Sequence, residues 1–325
     1  MKHREVRTLA LLILVIVGAA LRAPRFIEAT SINSILLWAP LLIVVGMGQM
    51  LVIVTRGIDV SVGSMVGLSA MAAGMFMRSH SGLPLAAGVA VGVSVGAFLG
   101  VINASVIAFG RVPAIIATLG TLSAYRGLIF ILSKGVQVDS NDLPDALTNW
   151  SSKGPVHFGG VTISWLLVVA LAAAAATAWF ILRTRTGRDV FAMGSHPEAA
   201  RLRGVPVTRV TFLVYAITGA LCGLGGLMYA SRFGFVNPGT AGQGLELIVI
   251  AAVVIGGVNV TGGSGSVIGV VLGCLLLGSI NVALSVLGID ATWQQLVYGV
   301  VILAAVVLDT LARRGSHKAA GALAS

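Results

Sequence analysis

Long apolar runs separated by short polar breaks recur along almost the whole chain. A run of about 17 to 25 apolar residues can cross the hydrocarbon core of a bilayer as a helix. Ten runs qualify as candidates: 8–22, 35–54, 60–77, 84–109, 112–132, 162–182, 210–230, 245–260, 265–288 and 293–311. The fourth is long enough to tilt or kink, and Gly256 and Gly257 end the eighth early. The pattern predicts an all-α polytopic membrane protein, one transmembrane domain over 1–325 with about ten spans. The first run follows the basic start MKHREVR, as in a signal peptide, but RAPRF follows it with no A-x-A-like cleavage site. It is expected to be a retained span, extended by snorkelling of Arg22 and Arg25.

The halves of the chain repeat. GVINASVIAFG from Gly100 matches GSINVALSVLG from Gly278, so that Gly100/Gly278, Ile102/Ile280, Asn103/Asn281 and Gly110/Gly288 share one offset of 178. That offset carries spans two to five onto seven to ten, giving repeat halves of about 35–132 and 210–311. Five is odd, so the copies are expected to face opposite ways, the inverted arrangement from which transporters build two exchangeable states.

Composition sharpens this picture. Hydrophobic residues make up 57% of the chain and charged residues only 10%, against about 25% charged in soluble domains. The net charge of +10 does not point to nucleic acid, because the basic residues sit at the ends of apolar runs and not in an aromatic-interleaved patch. They read instead as topology signals. With ten spans and both termini in the cytoplasm, 14 of the 21 lysines and arginines fall inside. Cys222 and Cys274 lie in separate apolar runs, which reads as two small buried hydrophobes. His3, His80, His157, His196 and His317 fall in loops or tails without ligand spacing. No G-x-x-x-x-G-K-S/T motif and no catalytic constellation is present, so the expectation is a non-enzyme that binds no metal or cofactor itself.

Polar residues inside apolar runs are the candidates for function. Asp59 and Ser61, with Ser64, open span three beside Arg56 in TRGIDVSVGS. Arg56 and Asp59 could form an interfacial i, i+3 pair, or the element could line a pathway. Asn103 and Asn281 need partners in hydrocarbon and are candidates for helix–helix glue or for contact with a polar solute. Gln49, Thr118, Thr121 and Ser123 are similar. Glu246 follows NPGTAGQGL at the start of span eight, where the helix dipole favours an acid and where it could equally serve as a gate contact. Arg126 is read as snorkelling or gating, and Asp309 with Arg313 as an end-of-helix pair. The outer loop 133–161 is either passive or a docking surface.

The stretch TGRDVFAMGSHPEAARLRGVPVTR, 186–209, breaks the apolar pattern most sharply. Ser195 and Glu198 have capping-box spacing, Pro197 suits a first helical turn, and Gly204 with Pro206 gives a stop. A short helix over about 196–203 is expected within a cytoplasmic loop 183–209, with Arg183, Arg185 and Arg188 at anionic lipid. An ordinary connector is the bland alternative to a docking lever.

Four segments carry a family resemblance: GIDVSVGSMVGLSA (57–70), PAIIATLGTLSAYRG (113–127), GRDVFAMGSHPEAARLRGV (187–205) and GGVNVTGGSGSVIGVVLGC (256–274). Together, over about 35–310, they resemble permease subunits of ATP-binding-cassette (ABC) importers of the ribose and simple-sugar family, and within it the rhamnose and autoinducer-2 permeases most. The resemblance implies two permease subunits, the same chain or a relative, and two ABC ATPase subunits that use ATP and Mg. It also implies an external sugar-binding protein. It assigns ATPase coupling to Gly194, Ser195, Glu198, Ala199, Ala200 and Gly204. Gln49, Asp59, Ser61, Asn103, Thr118, Thr121, Glu246 and Asn281 remain candidates for a substrate pathway or gate. An ion-coupled carrier using Asp59 and Glu246, or a branched-chain amino-acid permease subunit, is the competing expectation.

Overall fold

The computed structural model describes residues 3–80 and 82–289 and, beyond them, Trp293, Leu296, Gly299, Val300 and Leu303, all five helical. Among the described residues, twelve α-helices precede residue 290: α1 His3–Arg22, α2 Ala29–Val54, α3 Val62–Ser79, α4 Leu85–Ala108, α5 Ala114–Ser133, α6 Asp145–Ser152, α7 Trp165–Arg183, α8 Arg185–Ser195, α9 Pro197–Leu202, α10 Val207–Phe233, α11 Leu245–Ile255 and α12 Val267–Val286. A small antiparallel hairpin, β1 Val156–Phe158 with β2 Val161–Ile163, pairs His157 with Thr162. The fold is all-α in its described spans, as the apolar pattern predicts.

Helices stand at each of the first nine predicted runs. Six of them, α2, α4, α5, α7, α10 and α12, are long and apolar enough to cross a membrane. The shortfall from ten has physical causes. α1 carries charge within its first turns (Glu5 and Arg7), and α3 is interrupted by polar and small residues and ends on Arg78. α11 has 11 residues and is too short to span alone. The tenth run, with Asp309 and Arg313, lies outside the described residues apart from Trp293, Leu296, Gly299, Val300 and Leu303.

α2 is the central element, with every residue from Ala39 to Val54 buried. A helix apolar on all sides suits a core surrounded by other helices. α10, α12, α7 and α11 pack around it, and α3, α4 and α5 complete the bundle. The α4–α10 seam is the tightest. A Cβ at Gly96 would collide with the Gly219 carbonyl, and one at Gly219 with the Gly96 carbonyl. Gly92, Gly96 and Gly100 form a small-xxx-small series on α4 that lets the two backbones touch.

Shifting α2, α3 and α4 by 178 gives 207–232, 240–257 and 263–286, close to the observed α10, α11 and α12. Packing follows the same exchange. α4 lies on α10 and α12 on α2, α3 lies on α10 and α11 on α2, and α3 lies on α4 and α11 on α12. The turn before the second helix of each half, α3 and α11, repeats as well. Asp59 Oδ1 accepts from the Ser61 N–H at 2.8 Å, and Asn237 Oδ1, 178 residues on, accepts from the Gly239 N–H at 2.9 Å.

The loop over 133–161 is folded. α6 packs on α10, where the Ser231 hydroxyl donates to the Leu147 carbonyl at 2.7 Å and the Ser151 hydroxyl to the Ser231 carbonyl at 2.9 Å. Val138 and Val236 exchange backbone hydrogen bonds in an isolated bridge. Arg78 pairs with Asp142 at 3.8 Å.

Candidate functional site

The turn from α2 to α3, Thr55 to Ser61, joins two clusters. It begins with a Schellman ending on α2. The Gly57 N–H donates to the Val52 carbonyl at 3.0 Å and the Arg56 N–H to the Ile53 carbonyl at 2.9 Å. Arg56 occupies the left-handed position with φ of 69°, where glycine is usual. Its side chain explains the choice of arginine. Nε donates to the Gly194 carbonyl and Nη2 to the Ser195 carbonyl, each at 2.7 Å. These are the last carbonyls of α8, which no intrahelical N–H can reach, and a cation is favoured at that end of a helix.

A third segment closes this junction. The Gly263 N–H donates to the Val54 carbonyl at 2.9 Å, and the Ser195 hydroxyl lies 3.4 Å from the Gly263 carbonyl. A side chain at Gly262 would strike Arg56 Cγ, and one at Gly194 the Val54 carbonyl. Asn259 braces the segment from within, donating to the Gly262 carbonyl at 3.1 Å. Two of the sequence motifs, 187–205 and 256–274, thus meet at Arg56, the residue just before a third, 57–70. The interfacial Arg56–Asp59 pair does not form, because each side chain is committed elsewhere.

α9 projects from the junction. Pro197 stands at its first position as predicted. Gly204 ends it at φ of 80°, with the Val205 N–H donating to the Ala200 carbonyl at 3.0 Å. The predicted capping box is not made. Ser195 is the last residue of α8, and its hydroxyl donates back to the Phe191 carbonyl at 2.9 Å, so His196 takes the N-cap place without a side-chain bond. α8 itself was not expected from the sequence. Gly194 and Ala200 are buried, whereas Ser195, Glu198, Ala199 and Gly204 are exposed, and Leu202 is 89% exposed.

Three residues beyond Arg56 the turn enters a buried polar cluster. Asp59, Ser61, Gln49, Asn103 and Thr118 are all fully buried; the first four are linked by hydrogen bonds, and Thr118 bonds the backbone of the same turn at Ile58 and Val60. Asp59 Oδ1 accepts from the Ser61 N–H and from its hydroxyl at 2.6 Å. The Asn103 amide donates to Ser61 Oγ at 2.8 Å and lies 3.3 Å from Asp59 Oδ2. Gln49, with its amide turned to satisfy both groups, donates to the Asp59 carbonyl at 3.2 Å and accepts from the Asp59 N–H at 3.3 Å. Thr118 accepts from the Val60 N–H at 3.1 Å.

Two tyrosines missing from the candidates complete the cluster. Tyr125 donates to the Leu99 carbonyl at 2.9 Å and lies 3.1 Å from Asn103 Oδ1. The Tyr215 hydroxyl is buried beside Gly57 with no hydrogen-bond partner among the described residues. A tyrosine inside an apolar run was the available sign, since a buried hydroxyl needs a partner. Asn103 therefore joins α3, α4 and α5.

The other candidates lie apart. Thr121 sits one turn on from Thr118, its hydroxyl 3.3 Å from the Thr118 carbonyl. Ser123 is exposed and turned to the Leu119 carbonyl at 3.5 Å. Glu246 lies in the first turn of α11, its Oε2 packed against Gly63. Arg126 donates to the Ala241 carbonyl at 2.6 Å. Asn281 lies at the other end of the bundle, lining a cavity with Arg232. Among the described residues, no group of three His, Cys, Asp or Glu side chains could hold a metal ion.

Comparison with known proteins accords with this arrangement. The family profile described as branched-chain amino acid transport system / permease component matches residues 31–306. The autoinducer 2 import system permease protein LsrC of Escherichia coli O9:H4 (strain HS) is 35% identical over 307 residues, 94% of this chain and 87% of that protein. The LsrC protein of Enterobacter sp. (strain 638) is 37% identical over 314 residues, 95% of this chain and 87% of its own length. That of Photorhabdus luminescens is 35% identical over 285 residues, covering 88% of this chain and 83% of the relative. No solved structure matches the chain. The profile match over most of the chain, on a bundle of apolar helices, places this protein in the branched-chain amino acid transport system / permease component family, as a multi-pass, non-catalytic permease subunit of the ABC-importer type.

Proposed function

We propose that the chain is the membrane subunit through which an ABC importer carries a small hydroxylated solute, autoinducer 2 or rhamnose before other monosaccharides. The observation that carries this reading is the 35–37% identity to autoinducer 2 import permeases across 94–95% of the chain. In this reading ten spans form two inverted sets of five, with both termini and the 183–209 loop in the cytoplasm. The boundaries and packing that repeat at an offset of 178 support the pairing of halves. The concentration of arginine in 183–209 supports the orientation.

The mechanism follows from the α2–α3 turn. Partner ATPases, which hold the ATP and Mg, grip the exposed surface of α9. Its displacement reaches Arg56 through the α8 carbonyls, and Arg56 moves the turn that carries Asp59 and Ser61. The polar cluster then shifts α3 against α4 and α5, so that the pathway between two permease subunits opens to alternate sides. An external binding protein delivers the solute. Gln49, Asp59, Ser61, Asn103 and Thr118 act here as the moving joint, with Thr121, Glu246 and Asn281 facing the pathway.

Reconstitution tests this. Uptake of autoinducer 2 or L-rhamnose should require the ATPases, ATP and the binding protein together. Uptake by this chain alone on a proton or sodium gradient would overturn the reading. A second reading, branched-chain amino-acid cargo, has the wording of the family description in its favour. Leucine retained by the cognate binding protein would establish it.

A further inference from the structure

At the end of the bundle away from Arg56, α2, α10 and α12 line an open cavity of about 360 Å³. Polar residues, Thr30, Ser31, Ser34, Asn281, Ser285 and Arg232, share its lining with Val282 and Val286. Arg232 is held in an unusual way for an arginine at the end of a span. Snorkelling would carry the guanidinium into water. Instead it lies over the indole of Trp38, 4.2 Å from the ring centroid, and its Nη1 is buried with no hydrogen-bond partner among the described residues. Its neighbour Ser231 is fixed by α6 through Leu147 and Ser151, so α10 cannot readily turn the arginine outward.

We infer that this cavity is a solute subsite, in which Arg232 donates to the oxygens of a hydroxyl-rich ring compound and the hydroxyls and amide around it complete the recognition. The inference rests on the import reading and deepens it, adding a place where cargo pauses at the end of the pathway remote from the ATPase surface. Trp38 is the positioning residue that keeps the guanidinium flat and pre-oriented. Ser31, Ser34 and Ser285 each donate to a backbone carbonyl, which leaves their oxygens to accept from a neutral polyol, while Val282 and Val286 meet its carbon skeleton.

The test uses the complete transporter, both permeases with ATPases and binding protein, in lipid nanodiscs and proteoliposomes, with autoinducer 2, L-rhamnose and D-ribose as probes. Ser34→Cys places a thiol in the cavity, and the native Cys222 and Cys274 are buried. A saturating solute should slow modification of position 34 by a hydrophilic thiol reagent several-fold. Arg232→Gln should lower the maximal uptake rate about tenfold, the loss expected for one hydrogen bond to a charged group. Arg232→Lys should not restore it, because an ammonium cannot lie flat on Trp38. A wild-type complex that imports one of the three, with no protection at position 34 and full activity in Arg232→Gln, overturns the subsite and leaves the import reading standing. Protection at position 34 in a complex that imports none of them keeps the subsite and overturns the import reading.

Discussion

At the scale of single residues, Arg56 is the unusual choice. A left-handed arginine costs about 1 kcal/mol or more against glycine, and the two bonds to the end of α8 offset it. Arg56→Gly separates the two contributions. It removes the strain and both bonds, so the chain should melt no lower than Arg56→Ala while both variants lose most ATP-driven uptake. Uptake near the wild-type rate in Arg56→Gly would remove the side chain from the mechanism. Asp59 invites a second comparison. Its counterpart Asn237 makes the same turn with an amide, so Asp59→Asn should keep the fold and most uptake, whereas Asp59→Leu strands Ser61 and Asn103 and should fail to accumulate. Loss of uptake in a well-folded Asp59→Asn would mean that the carboxylate charge itself carries function. The sequence marked Asp59, Ser61, Asn103 and Thr118 as polar residues needing partners. It did not tell who those partners were, because Asn103 and Tyr125 come from helices 44 and more residues beyond Asp59. Arg56 looked like half of an ordinary surface pair for the same reason: the carbonyls it reaches are 138 and 139 residues away.

At the scale of elements, what the backbone itself imposes was readable and what depends on side-chain choice was not. Pro197 and Gly204 bracket α9 as expected, since one fixes φ and the other accepts a positive φ. The S-x-x-E spacing misled, because Ser195 turned back into α8. α8 escaped notice because only Thr184 separates it from α7, with Thr184 Oγ1 accepting from the Gly187 N–H at 2.9 Å. α9 presents Glu198, Ala199 and Leu202 outward. Glu198→Arg alters that surface without touching the junction beneath. It should cut uptake about tenfold or more, on the scale of a like-charge contact at an interface, with the melting temperature unchanged. Normal uptake in this variant would mean that the ATPases grip elsewhere.

At the scale of the whole molecule, the apolar runs gave helix positions but not the rank of helices within the bundle. α2 and α4 are similarly apolar, yet α2 is enclosed and much of α4 is not. Hydropathy cannot separate a helix wrapped in protein from one wrapped in lipid. Orientation is testable directly. A thiol at Phe158, on the exposed hairpin, should react with an impermeant reagent on intact cells, and one at Glu198 only after permeabilisation. The reverse pattern would invert the topology and end the case for ATPases at α9. The glycine seam bears on how such a bundle could change shape. Where main chain rests on main chain, no rotamers remain to be reshuffled, so α4 and α10 behave as one stiff strut. Any switching must hinge at the softer boundaries around it, and a covalent clamp across this strut should leave transport untouched.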